Sequence, residues 1–69
     1  MKIDISSREK EVLRLIAYEF TAKEIAKELF ISPHTVDSHR KNLFQKLQVK
    51  NTAGMVRVAF ERGIMPLMS

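Results

Sequence analysis

Cysteine is absent from the 69-residue chain, and glycine and proline occur only twice each. Without cysteine, neither a disulfide nor a thiolate metal site can brace the fold. Such a chain also fits a reducing compartment. No apolar run approaches the roughly 18 residues needed to cross a bilayer. The first ten residues, MKIDISSREK, are charged throughout and hold no apolar signal core. These absences predict a soluble protein of the cytoplasm, with no membrane segment and no export signal. Chemistry of the catalytic kind is missing as well. The sequence has neither a glycine-rich phosphate loop nor a nucleophile with a base and an orienting partner, so it does not read as an enzyme, and no cofactor is implied.

What is present is helical. Residues 1–69 are too few for more than one domain, and a domain of this size buries only about 60% of its unfolded surface. Strand-like alternation is absent, and apolar residues recur at helical spacing instead. Ser6 followed by Glu9 forms a capping box that opens a first helix over about 7–20, with Val12, Leu13, Ile16, Ala17 and Phe20 as its apolar stripe. Thr21 and Glu24 repeat the box and open a short second helix over about 22–29, whose inward residues are Ile25, Ala26 and Leu29. Phe30, Ile31 and Ser32 leave room only for a tight turn. Ser32-Pro33 then starts a third helix over about 33–47, serine as N-cap and proline at the first helical position. Asn51 or Thr52 caps a fourth over about 52–62, which Gly63 stops; 64–69 is a tail, with Ile64 expected to pack back on the helix. The expected fold is all-α: four short helices, of which the second and third form a helix-turn-helix.

Charge is unevenly placed. The net charge of the whole chain is +4, and residues 1–31 contribute nothing to it. Residues 32–50 carry Arg40, Lys41, Lys46 and Lys50 against Asp37, a net of +3. A localised basic surface is the electrostatic footprint of a phosphate-binding protein. Around the third helix, at about 100° per residue, Val36, Leu43 and Leu47 cluster on one side and His34, Asp37, Ser38, Lys41 and Gln45 on the other. None of those five is apolar, and each can donate or accept a hydrogen bond. An ordinary solvated helix face has this character, and so does a helix lying in a DNA major groove, where base edges are read by hydrogen bonds. Lysine suits guanine O6 and N7, glutamine suits adenine, serine serves several bases, and aspartate accepts from cytosine N4.

Other features have plainer readings. Glu9 and Glu24 stand at the capping offset, which explains them better than acid–base chemistry does. His34 and His39 are about 140° apart around a helix and share no face, so no metal site is expected. His39 lies beside the core stripe, and Arg40 projects near the apolar side, where its stem can cover the core while its head reaches outward. Met65 and Met68 in the tail read equally as a partner surface or as an unordered end.

The order of these pieces resembles the DNA-binding domain of the LuxR/GerE family. The resemblance lies in Ser6-x-Arg8-Glu9-x-Glu11-Val12-Leu13, in Lys23-Glu24-Ile25-Ala26-x-x-Leu29, and in Ile31-Ser32-x-x-Thr35-Val36-x-x-His39-x-x-x-Leu43-x-x-Lys46-Leu47. It covers about residues 5–64. It implies a four-helix domain whose third helix enters the major groove and whose fourth pairs two domains. It places base contacts on Asp37, Ser38 and Lys41, and phosphate contacts on Thr35, His39, Arg40, Lys46 and Lys23; His34 and Gln45, on the same helix face, are expected extra DNA contacts. Met55, Val56 and Val58 read as core or as dimer seam, and with Arg62 they are the expected dimer surface. The implied partners are double-stranded DNA, a second copy of the chain, and RNA polymerase. Two departures stand out: many members have a basic residue where this chain has Asp37, and the family's usual arginine and acid at the start of the fourth helix are Thr52 and Gly54 here. A sigma-factor-like helix-turn-helix and a helical interaction module without DNA binding are the competing readings.

Overall fold

The computed structural model describes residues 5–63. Four helices follow one another: α1 Ser7–Ala17, α2 Ala22–Leu29, α3 Pro33–Leu47 and α4 Thr52–Glu61. Among the described residues there is no strand, and no helix is long and apolar enough to cross a membrane.

Each helix begins on a side-chain cap that takes the N–H three residues on. Ser6 Oγ accepts from the Glu9 N–H at 3.1 Å, while Glu9 Oε1 accepts from the Ser6 N–H at 3.0 Å. Thr21 and Glu24 repeat the exchange at 3.2 and 2.8 Å. Ser32 Oγ accepts from the Thr35 N–H at 3.1 Å, with Pro33 opening α3. Asn51, rather than Thr52, caps α4, its Oδ1 accepting from the Gly54 N–H at 2.9 Å. Each such bond satisfies a donor that the first turn leaves without an intrahelical partner.

α2 and α3 end where the sequence places their ends, and α1 and α4 end earlier. α1 stops at Ala17 instead of running to residue 20, because Glu19 turns left-handed (φ 69°) and the Phe20 N–H donates back to the Leu15 carbonyl at 3.0 Å. The same closure recurs twice. Phe30 (φ 58°) ends α2, with the Ile31 N–H donating to Ala26, and Gln48 (φ 54°) ends α3, with the Val49 N–H donating to Phe44. These bonds from the residue after the left-handed one satisfy last-turn carbonyls. Phe20, expected inside, is consequently carried past the helix end and is exposed. α4 ends at Glu61, one residue earlier than expected, with Gly63 left-handed beyond it. The expected packing of Ile64 and the tail 64–69 lie outside the described residues.

The core joins all four helices. Val12, Leu13, Leu15 and Ile16 of α1 meet Ile25 and Ala26 of α2, Val36, Leu43 and Leu47 of α3, and Met55, Val58 and Ala59 of α4. Leu15 is a core residue that the apolar stripe of the sequence did not include. α3 packs against all three other helices and α1 against α2 and α4 as well, so α3 is fixed along its buried side and free along the other. Burial of these side chains stabilises the fold by roughly 1.5–3 kcal/mol each for the larger ones.

Candidate nucleic-acid interface

α3 sorts its residues by side. Val36 and Leu43 are fully buried and Leu47 nearly so. His34, Asp37, Ser38, Lys41 and Gln45 are all exposed, on the side opposite the core. Five consecutive outward positions without an apolar side chain make a hydrogen-bonding strip. His34, Asp37, Ser38, Arg40, Lys41 and Phe44 line a shallow hollow of about 220 Å³ along it. The α2–α3 turn is short because Phe30 reverses the chain within one left-handed residue.

The strip has a defined donor–acceptor character. The ion pairs among the described residues are Arg8–Glu11, Lys46–Glu9 and Arg57–Glu61. Asp37 and Lys41, one turn apart, therefore form no ion pair with each other. Ser38 is turned back on its own helix, its Oγ donating to the His34 carbonyl at 3.3 Å. Thr35 is engaged at the cap: its N–H goes to Ser32 Oγ, and its hydroxyl shares a hydrogen bond with the same atom at 2.9 Å.

The residues expected to contact phosphate differ in exposure and in partners. Lys23 is exposed on the first turn of α2, and Thr35 and His39 are half-buried on α3. Arg40 is half-buried with its guanidinium directed to α4: one terminal amino group lies 3.5 Å from Thr52 Oγ1, and the Nε atom is buried with no acceptor. Thr52 thus stands against an arginine from α3. Lys46 is exposed at the surface, and its ammonium also lies 2.7 Å from Glu9 Oε1 on α1, whose carboxylate is 5% exposed. Burial pushes the Glu9 carboxyl up, but hydrogen bonds from Lys46 and from Ser6, with the lysine charge, outweigh it and leave the group below its ordinary value.

The expected dimer surface is corrected in part. Met55 is 0% exposed and Val58 8%, both packed into the core of this single chain. A ten-residue helix laid against α1 and α3 turns these positions inward. Val56 is half-buried, and Arg62 and Phe60 are exposed, the phenylalanine at 41%. Gly54 lies inside α4, and a Cβ there would stand 3.3 Å from Val49 Cβ, tighter than most such contacts.

Two features had no role in the sequence reading. Glu9 was understood as a cap alone; its partner is 37 residues away, and no local pattern announces the pair. Lys50 and Arg57 line a second hollow of about 300 Å³ at the start of α4 with Gln48, Val49, Asn51 and Gly54. The excess charge of residues 32–50 includes Lys50, but only the fold sets it beside Arg57. Among the described residues, no group of three or more His, Asp or Glu stands close enough to hold a metal ion.

The bacterial regulatory proteins of the luxR family match residues 4–59. The chain is 43% identical over 60 residues to the transcriptional regulatory protein MctR of Rhizobium johnstonii, covering 87% of this chain and 28% of that protein. It is 48% identical over 52 residues to the spore germination protein GerE of Bacillus subtilis, covering 75% of this chain and 70% of GerE. Its fold superposes on the solved VqmA–ligand–DNA complex of Vibrio cholerae with a TM-score of 0.84 at 28% identity, over 93% of this chain and 28% of that one. Against regulators such as MctR the chain spans under a third of the relative's length.

Proposed function

The chain belongs to the luxR family of bacterial regulatory proteins, and from that premise we propose that it binds double-stranded DNA sequence-specifically in transcription regulation, with α3 in the major groove. One observation carries the reading. The side of α3 away from the core is polar throughout, from His34 through Asp37, Ser38 and Lys41 to Gln45, while the opposite side is locked into the core. A helix held rigidly along one edge and presenting only hydrogen-bonding groups along the other suits direct readout of base edges. Asp37, Ser38 and Lys41 are the base-reading residues, with His34 and Gln45 at either end of the strip. Lys23, Thr35, His39 and Arg40 set the register through phosphates, which fix orientation without reading sequence. Lys46 joins that set less directly, since its ammonium is also held by Glu9.

A homodimer formed through the exposed part of α4, with Val56, Phe60 and Arg62 at the seam, gives the domain two half-sites. Two-fold symmetry then spaces them by about one helical turn or a multiple of it. The duplex places this work in the cytoplasm. Regulation from a bound site acts on RNA polymerase through surfaces that remain solvent-facing when α3 is in the groove.

Selection from a random duplex pool at about physiological salt, with sequencing of what is retained, tests the reading. The expected result is an enriched motif arranged as an inverted repeat. Retention without any motif would leave only phosphate binding, and no retention by the folded domain would overturn the proposal.

A further inference from the structure

We propose that Asp37 and Ser38 make this domain select sites in which the base they face is cytosine or adenine, through the exocyclic amino group (N4 or N6) it presents in the major groove, beside the guanine read by Lys41. The inference rests on the placement of α3 in the groove proposed above. An ionised carboxylate can only accept hydrogen bonds. Asp37 is exposed on the outward strip and forms no ion pair with another described residue. Ser38, its neighbour, gives its single hydroxyl proton to the His34 carbonyl, so only its lone pairs face outward. Two adjacent positions on the strip are therefore acceptors, and the ammonium donor Lys41 stands one turn on, about 6 Å along the axis from Asp37.

Base edges divide accordingly. In the major groove, guanine offers N7 and O6 and thymine offers O4, all acceptors; only the amino groups of cytosine and adenine donate. Set against thymine O4 or guanine O6, the Asp37 carboxylate would lose its water, gain no partner, and lie near the phosphates as an unmatched anion. Such a group loses more on the wrong base than it gains on the right one. Asp37 thus acts chiefly by exclusion. It lowers affinity for DNA at large and leaves it undiminished where an amino group meets it. Lys41, free of Asp37, keeps its donors for guanine.

The test compares the wild-type chain with Asp37→Ala, Asp37→Asn and Ser38→Ala by selection from the random duplex pool and by titration against the selected duplex and an unrelated one. The wild type is expected to retain a motif with one position restricted to cytosine or adenine, next to a guanine. Asp37→Ala should reduce discrimination at that position by about ten-fold while binding the unrelated duplex more tightly than the wild type does. Asp37→Asn, which can both donate and accept, should keep an adenine site and lose a cytosine site, and so separates the two bases. Ser38→Ala should relax the same or the adjacent position. A duplex carrying N4-methylcytosine or N6-methyladenine at the restricted position, its groove-facing proton replaced by a methyl group, should bind the wild type more weakly and Asp37→Ala with little change. A wild-type motif that Asp37→Ala reproduces with undiminished discrimination overturns this inference and leaves the proposed function intact. Absence of any wild-type motif overturns both.

Discussion

Glu9 and Lys46 close the fold across its sequence: the lysine in the last turn of α3 reaches a carboxylate in the first turn of α1 at 2.7 Å. The oxygen that takes the lysine also accepts the Ser6 N–H. One carboxylate therefore caps α1 and anchors the far end of the recognition helix.

Glutamine at position 9 separates these two tasks, since it can still cap but carries no charge. Glu9→Gln is expected to destabilise the domain by about 1–2 kcal/mol, the lysine end of the pair being partly solvated. Glu9→Ala should cost about 1 kcal/mol more through the lost cap. The folded carboxyl lies below its ordinary value, so its contribution is complete above about pH 4.3, the unfolded value, and is lost as pH falls through the lower folded value. Denaturant titration between neutral pH and pH 3 checks both statements. The wild type should lose stability on the acid side, and the part of that loss due to Glu9 should vanish in Glu9→Gln.

Phe30 is 95% exposed and held in a left-handed conformation. Its side chain contributes little burial, while its backbone bears a steric cost of about 1–2 kcal/mol that glycine avoids. Against the extra unfolded-state entropy of glycine, Phe30→Gly is expected to raise stability by up to about 1 kcal/mol, or a few degrees in Tm. A lowered Tm would mean that the phenyl ring packs in a way its exposure hides.

Lys41 and Arg40 are neighbours with different proposed duties. Lys41→Ala should cost about 1–3 kcal/mol on the preferred duplex and relax one position of the motif. Arg40→Ala should weaken binding to all duplexes alike and reduce the salt slope by about 1. Because the arginine also leans on Thr52, its thermal melt should be run beside the binding titration. Equal loss on every duplex for Lys41→Ala would remove it from the base-reading set.

On α4, the buried Met55 bears on stability and the exposed Phe60 on the proposed association. Met55→Ala opens a cavity in the core and should cost about 2–5 kcal/mol, a large part of what a domain of this size possesses. Phe60→Glu should leave the melt almost unchanged and shift sedimentation at high concentration toward the monomer. A dimer indifferent to Phe60→Glu would place the pairing surface elsewhere.

The starts of the helices were legible in the sequence, as were the ends of α2 and α3, but the end of α1 was not. Ser6 with Glu9, Thr21 with Glu24, and Ser32 with Pro33 are local chemistry, complete within four residues. The closing residues Glu19, Phe30 and Gln48 adopt a conformation that glycine usually signals, and none of them is glycine. That is why α1 was expected to continue to residue 20. The outward strip of α3 could be read because a fifteen-residue helix has few ways to bury Val36, Leu43 and Leu47 together. The fate of Lys46, and the inward turn of Met55 and Val58, depended on where α1 comes to lie, and no spacing within either helix records that.

The caps have a kinetic meaning as well. All four helices start from a hydrogen bond that spans three residues, so each can nucleate without waiting for a distant segment. The helices are short, their connections are tight, and no strand must find a remote partner among the described residues. Chains dominated by such local contacts fold on a timescale of about microseconds to milliseconds. Ribosomal synthesis adds only about 5–20 residues per second. The domain can therefore finish folding almost as soon as its last helix clears the ribosome, whatever else is joined to it.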